Sequence, residues 1–410
     1  MRDRGSVLLS FGLVAALLLS SCNGSGENGP GDQETQGGEP IRIGALTALT
    51  GNFAPWGLGV RDGMQLAVDE INEAGGVGGR MLELVVGDTE SNPEAGTSAF
   101  ERLLEDGVVA AGGIISSDVG LATTVVAEEE QVPLFLVKAG AESILTPDSR
   151  YTFRTCLPAA PMVAGPVLQY AQSEGLTRVG AIIADYAWGQ AIKAALEAEF
   201  AQAPDIRLQI EVAPIDESDF TTYLRSLSDF DAELIVATGH PPGSGPITVQ
   251  SADLGLDVPI TGPYAPPQLV VGGAGEAAFG RYADFACVDY AGEDYQDLAR
   301  RFLASSEDNV FMSDDAVAGY GIVTMVAQAV GEVGDDPAAI AEYLHATTFD
   351  LPGYSFDMAW TDWGELANAQ IAFTLLGAEG APEGVNGAGD WYPESLLISE
   401  PLEPYMPEGA

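Results

Sequence analysis

Residues 45–57 read ALTALTGNFAPWG, and the segments on either side of them decide the fold. Ile41 to Leu46 is an apolar, strand-like run. From Val60 the apolar side chains fall at Met64, Ala67, Val68 and Ile71, the spacing of one face of a 3.6-residue helix. Gly75-Gly76 stops that helix, because glycine accepts the left-handed backbone that a helix end requires. Met81 to Val86 is a second apolar run, closed by Asp88. Strand, polar loop, helix and strand make one βαβ unit. The loop Thr47–Trp56 then lies at the end of a strand, where open α/β sheets hold ligands.

The alternation continues outward. Glu94–Glu105 predicts a helix entered at Pro93, Val108–Ile115 a buried strand, Val119–Glu130 a helix and Pro133–Val137 a strand. Past Pro158 and Pro161 a second series begins, with helices at Met162–Ser173, Trp188–Phe200, Phe220–Leu227 and Ile247–Leu254. Its strands are Arg178–Ile183, Leu208–Val212, Glu233–Thr238 and Val258–Thr261. Arg178-Val179-Gly180-Ala181 followed by Trp188-Gly189 echoes Arg42-Ile43-Gly44-Ala45 followed by Trp56-Gly57. Two lobes of one kind follow, each a parallel sheet covered by helices. Further helices are expected at Tyr295–Ala304, Val317–Gly331 and Pro337–Ala346. Ala283–Tyr290, Tyr354–Trp363 and Ile371–Leu376 read as extended.

The first 40 residues are a different kind of sequence. Arg2 and Arg4 precede an apolar run, Val7 to Leu19, too short to span a bilayer. Leu19-Ser20-Ser21-Cys22 resembles a bacterial lipobox, in which Cys22 is acylated; the alternative is an ordinary secretion signal with an incidental cysteine. Residues 23–40, rich in Gly, Glu, Asn and Gln, make a flexible tether. No later stretch reads as long and apolar enough to cross a membrane, so the body is expected outside the cytoplasmic membrane, held by lipid alone.

Acidic residues number 61 against 16 basic, a net charge of −45. With 46% hydrophobic residues this is the solvated surface of a folded protein in screening salt, with cation gathering as the alternative. Nucleic acid is excluded as a partner. Catalysis finds little support. His240 and His345, the only histidines, have no partner at metal-ligand spacing, and no nucleophile elbow or phosphate-binding loop occurs. No metal, cofactor or catalytic residue is assigned.

The run W-G.....G..LAV.EIN..GGV.GR.LEL...D from Trp56 to Asp88 resembles the type I periplasmic solute-binding proteins of ABC transporters, the leucine/isoleucine/valine-binding branch. The resemblance implies an α/β fold of two doubly wound, Rossmann-like lobes joined by a three-crossing hinge. It places the crossings near Arg154–Leu157, Phe285–Asp289 and Leu351–Tyr354. The N-terminal lobe is then 41–155 plus 288–350, and the C-terminal lobe 156–287 plus 351–410. Cys156 and Cys287 fall on the first two crossings, within reach of a disulfide, with two buried thiols as the alternative.

In a two-lobed protein the strand-end loops face the cleft. Ser116, Ser117 and Gly140 stand where strands feed helix N-termini, which favour an anion. Trp56, Tyr186, Trp188 and Tyr264 offer flat apolar surface with a polar edge. The family's amino-acid binders hold the α-carboxylate on a serine that matches Ser116 and on donors that match Ala139 and Ala141, where the family's threonine is missing. Trp188 replaces a tyrosine, His240 stands where a tyrosine is frequent, and Tyr264 occupies the position of the acid that holds the α-ammonium. Asp315, on a helix start, is placed to supply the missing acid. The implied function is an importer's solute-binding lipoprotein, a monomer working with ABC permease and ATPase subunits. Its solute is an amino acid, an amide or a small carboxylic acid. The alternatives are a sensor presenting its ligand to a separate receptor and an enzyme using the same cleft.

Overall fold

The computed structural model describes residues 38–238, 243–263 and 265–407. The lipid-acceptor candidate Cys22, the leader and almost all of the expected tether lie outside the described residues.

The opening βαβ unit forms as its pattern demands: β1 Ile41–Thr47, α1 Ala54–Glu73 and β2 Leu82–Asp88. Then come α2 Pro93–Glu105, β3 Ala110–Ile114, α3 Ser117–Glu130, β4 Leu134–Leu136 and β5 Thr152–Arg154. The start of α2 shows the local logic. Asn92 accepts the Ala95 amide at 3.0 Å through its side chain, and Pro93 needs no partner in the first turn. The strands make a parallel sheet in the order β2-β1-β3-β4-β5.

The second series gives α4 Ala160–Ser173, β6 Arg178–Ala184, α5 Ala187–Phe200, β7 Arg207–Ala213, α6 Thr221–Asp229 and β8 Leu234–Thr238. It continues with α7 Ser244–Asp253, β9 Ile260–Pro263, α8 Pro267–Ala274 and β10 Tyr282–Ala286. Helices α9 Glu293–Ser305, α10 Asp314–Val333 and α11 Pro337–Ala346 return to the first lobe, and β11 Ala372–Gly377 and β12 Tyr392–Ile398 close the chain on the second. The second sheet runs β12-β11-β10-β9-β8-β6-β7, parallel from β10 to β7 and antiparallel at β11 and β12.

Helix α10 corrects one expectation. It is 20 residues long with a mean hydropathy of 1.4, long and apolar enough to cross a membrane by composition alone. It is instead a core helix, packed against α1, α11 and β3, so most of its surface is already covered by protein. Its crossing with α1 is backbone on backbone. A Cβ on Gly63 would stand 1.9 Å from the Ala316 carbonyl oxygen, and one on Gly319 would stand 2.1 Å from that of Val60. Gly63→Ala is therefore expected to push the helices apart and cost about 1–3 kcal/mol, read as a lowered urea midpoint. An unchanged midpoint would show that the crossing tolerates separation.

The strand expected over Tyr354–Trp363 does not form. Trp360 turns inward and meets Phe153 edge-on at 5.2 Å, while its indole nitrogen donates to the Arg154 carbonyl at 2.6 Å. The Arg154 amide donates to Gly364 O at 3.0 Å, so this stretch follows the edge of the first sheet before the chain reaches β11. Single bridges, Phe349 with Met358 and Trp360 with Leu366, replace a ladder. At the hinge, Val288 bridges Tyr354, and Cys156 and Cys287 are joined by a disulfide with their Cα atoms 5.3 Å apart.

Candidate functional site

The ends of β1, β3 and β4 face the start of α5 across the lobes. Trp56 is buried in the first turn of α1, and Phe53 beside it meets Tyr186 of the second lobe at 5.5 Å between ring centres. Trp188, also buried, opens α5 and lies against Gly140. A Cβ added at Gly140 would stand 2.5 Å from Trp188 Cζ3 and 2.8 Å from Leu157 Cδ2, so only a bare Cα admits the indole. The lobes are thus closed on each other here. A cavity of about 10 Å³, room for little more than one water, remains between Trp56, Ala265, Leu269 and Val270.

The loop after β4 is shaped from behind. Ser117 Oγ accepts the Ala141 amide at 3.1 Å, and the carbonyls of Ala139 and Ala141 accept from the Arg154 guanidinium. Arg154 is fully buried and paired to Glu365 at 2.9 Å. Burial pushes the Glu365 carboxyl up, and Arg154 only partly offsets it. Ser117, Ala139 and Ala141 are therefore engaged with protein partners. Ser116 is the residue preceding α3 and makes no side-chain cap bond. His240 and Tyr264 lie outside the described residues.

Beside this loop sits a buried group of charges. Lys138 Nζ lies 2.5 Å from Asp314 Oδ2 and 3.7 Å from Asp315 Oδ1, both carboxylates coming from the first turn of α10. Asp284 enters from β10, and its Oδ1 accepts the amides of Phe285 at 2.8 Å and Ala265 at 3.2 Å. Asp284 Oδ2, Asp315 Oδ1, Tyr290 Oη and Trp56 Nε1 are buried without a hydrogen-bond partner. Burial and then Asp314 push the Asp284 carboxyl well up, with Lys138 opposing. Asp315 is pushed well up by burial and by its fellow carboxylates, against the pull of Lys138. Burial would draw the Lys138 ammonium down, yet Asp314 and Asp315 hold it above its usual range.

Asp315 was legible as a helix-start acid; Lys138, Asp284 and Asp314 were not. The available signal was composition: Lys138 is one of only two lysines and directly follows the apolar run Pro133–Val137. Asp314 also lies 3.7 Å from Cys156 Sγ. Among the described residues, Cys156, Cys287 and Asp314 bring ligating atoms together, but both sulfurs are spent in the disulfide.

Comparison with known proteins agrees with this architecture. A family profile described as periplasmic binding protein matches residues 40–378. The chain is 25% identical over 336 residues to the leucine-, isoleucine-, valine-, threonine- and alanine-binding protein of Pseudomonas aeruginosa, covering 80% of this chain and 88% of that one. In structure it is similar to a solute-binding protein of an ABC transporter from R. palustris in complex with benzoate (TM-score 0.76, 20% identity, 90% of this chain and 99% of that one). It is also similar to a branched-chain amino acid transporter substrate-binding protein from Streptococcus pneumoniae in complex with isoleucine (TM-score 0.74, 21% identity, 88% and 99%).

Proposed function

Since the chain belongs to the periplasmic binding protein family, we propose that it is the extracytoplasmic solute-binding component of an ABC importer. It captures a small polar metabolite between its lobes and presents the closed form to a permease and its ATPase. Acylated Cys22 and the segment 23–40 tether it to the outer face of the membrane. The curated relative is named for amino acids and the structural neighbours hold isoleucine or benzoate, which makes amino acids, amides and small carboxylic acids the first solutes to try. The observation that carries the reading is the seating of Trp188 of one lobe on the bare Cα of Gly140 in the other. Such a contact between lobes holds the shut form, and a ligand that prefers that form shifts the population towards it.

A thermal-shift panel of these solutes on the purified protein, in high and low salt, tests the reading. A native-state ligand raises the midpoint by mass action. No rise with any solute, in folded protein, would count against it. Gly140→Val should block the seating of Trp188 and lower the affinity for the solute found by at least about tenfold, about 1.4 kcal/mol. Calorimetric titration of the variant checks this, and an unchanged affinity would mean that closure does not need the contact.

A further inference from the structure

We propose that Asp88 and Ser91 are positioning residues for closure of the cleft: together they fix the loop after β1 so that Phe53 stands where it meets the second lobe. The inference rests on the solute-binding reading above and assigns a part of its machinery.

The loop between β1 and α1 belongs to no strand or helix, and Thr50, Gly51 and Asn52 on it are exposed. It is nevertheless held from the end of β2. Asp88 Oδ1 accepts the amides of Leu49 at 2.9 Å, Thr50 at 3.3 Å and Glu90 at 2.8 Å, and Asp88 Oδ2 accepts the Thr50 hydroxyl at 2.8 Å. Burial pushes the Asp88 carboxyl up, but the amides of Glu90 and Leu49 and then Thr50 hold it below the ordinary carboxylate range. It is therefore an ionised acceptor on both oxygens, which is how one short side chain holds so many donors. Ser91 takes the far end of the loop. Its hydroxyl donates to the Thr50 carbonyl at 2.9 Å and accepts the Phe53 amide at 3.0 Å.

The backbone that presents these groups is strained. Glu90 and Ser91 have φ of 50° and 56°, the left-handed region that residues with a Cβ seldom enter. Gly51 packs on them, and a Cβ there would stand 2.7 Å from both the Glu90 carbonyl oxygen and Ser91 Oγ. Such strain persists only where the surroundings over-determine it, and it clusters at functional sites.

What the clamp holds is a residue of the cleft. Phe53 is buried directly before α1, and its carbonyl accepts the amides of Trp56 and Gly57 at 3.1 Å, so its placement sets the first turn of the helix. Its ring lies 6.0 Å from that of Trp56 and 5.5 Å from that of Tyr186 in the second lobe. The chain of contacts thus runs from Asp88 and Ser91 through Thr50 and Phe53 to Tyr186. Asp88 and Ser91 are themselves only half-buried, so amides released by their loss can turn to water. The ladder between β1 and β2 does not depend on either side chain. Loss of the clamp therefore costs the position of Phe53 more than it costs the fold.

The test is amide hydrogen exchange on the purified protein without solute, which reads local opening segment by segment. Asp88→Ala and Ser91→Ala should each exchange at least about tenfold faster over residues 49–57 and at least about threefold faster over residues 184–190 across the cleft, with the strands of both sheets unchanged. Asp88→Asn keeps an oxygen for the three amides and should stay within about threefold of wild type at 49–57 and unchanged at 184–190. Faster exchange at 49–57 alone would reduce the clamp to local bracing and overturn the inference, as would no change in either segment. Asp88→Asn behaving like Asp88→Ala would overturn the acceptor role given to Oδ1. Should Asp88→Ala fail to fold, Ser91→Ala decides the same question. Calorimetric titration with isoleucine and benzoate is the second arm. Whichever binds wild type should bind Asp88→Ala at least about tenfold more weakly, and adding Asp88→Ala to Phe53→Ala should cost less than about twofold, because the clamp acts through Phe53. A further tenfold loss in the double variant would overturn that route. Failure of both probes and of the wider panel on folded wild type would count against the solute-binding reading, and the exchange result would then decide the clamp by itself.

Discussion

Lys138→Met should destabilise the folded protein by about 3–5 kcal/mol, the cost of leaving a buried ion pair without one partner. The methionine keeps the length and most of the volume of the lysine, so packing loss is small and the effect reports on charge. In the native protein the ammonium is the positive charge that touches Asp314 and Asp315, and it acts on Asp284 as well. Without it three buried carboxylates face one another. The pH dependence gives the sign. Asp284 and Asp315 are already held above their ordinary range in the folded state. The folded protein therefore binds more protons than the unfolded chain, and the stability this contributes is lost as pH rises through the folded values. Removing Lys138 raises those values further. The deficit of the variant should accordingly be largest near neutral pH and shrink as pH falls towards the ordinary carboxylate range. Urea melts of wild type and variant at neutral and mildly acidic pH measure it. A deficit of equal size at both would assign the loss to packing instead.

The difference between what could be read in advance and what could not is largely one of range. The unit from Ile41 to Asp88 is legible because helix periodicity, the glycine stop and the strand runs are all local, and the structure forms α1 and β2 as that pattern requires. Trp56 and Trp188 are legible for the same reason: each stands beside a glycine at the start of a helix that follows a strand. Helix α10 misleads in the other direction, since its apolar residues run all round because protein covers most of its surface, a fact of tertiary packing. The stretch 354–363 has the composition of a strand, but Trp360 is taken by Phe153 at the edge of another sheet. The buried ion pairs beside the loop after β4 are the extreme case. Lys138 and Asp314 are 176 residues apart, and Arg154 and Glu365 are 211 apart, with no periodicity joining either pair. In a chain with 61 acidic residues, which carboxylates turn inward is decided by the sheet order rather than by any spacing.

Replacing both Cys156 and Cys287 by alanine should cost about 2–5 kcal/mol, towards the upper end because the bond spans 131 residues of chain. Both side chains are fully buried, so a small part of the loss is the missing sulfur volume. The remainder comes from the unfolded state, which regains the freedom of a long loop. The bond joins two crossings of the hinge, and the sheets on either side keep their ladders without it: β3, β4 and β5 in one lobe, β9 and β10 in the other. The expected result is therefore a protein that folds and binds its solute but unfolds at lower urea. Wild-type protein reduced while unfolded and refolded in reductant should match the variant, and reductant should leave the variant unchanged. Should reduced wild type keep its full midpoint, the loop entropy is offset in the native state, and the hinge is held by its other contacts, among them the bridge from Val288 to Tyr354 and the Ser355 amide donating to the Cys287 carbonyl at 2.9 Å. Those contacts join the second crossing to the third and leave the first to its neighbours in the sheet. The disulfide joins the first crossing to the second covalently, and the measured loss reports how far the hinge depends on that bond.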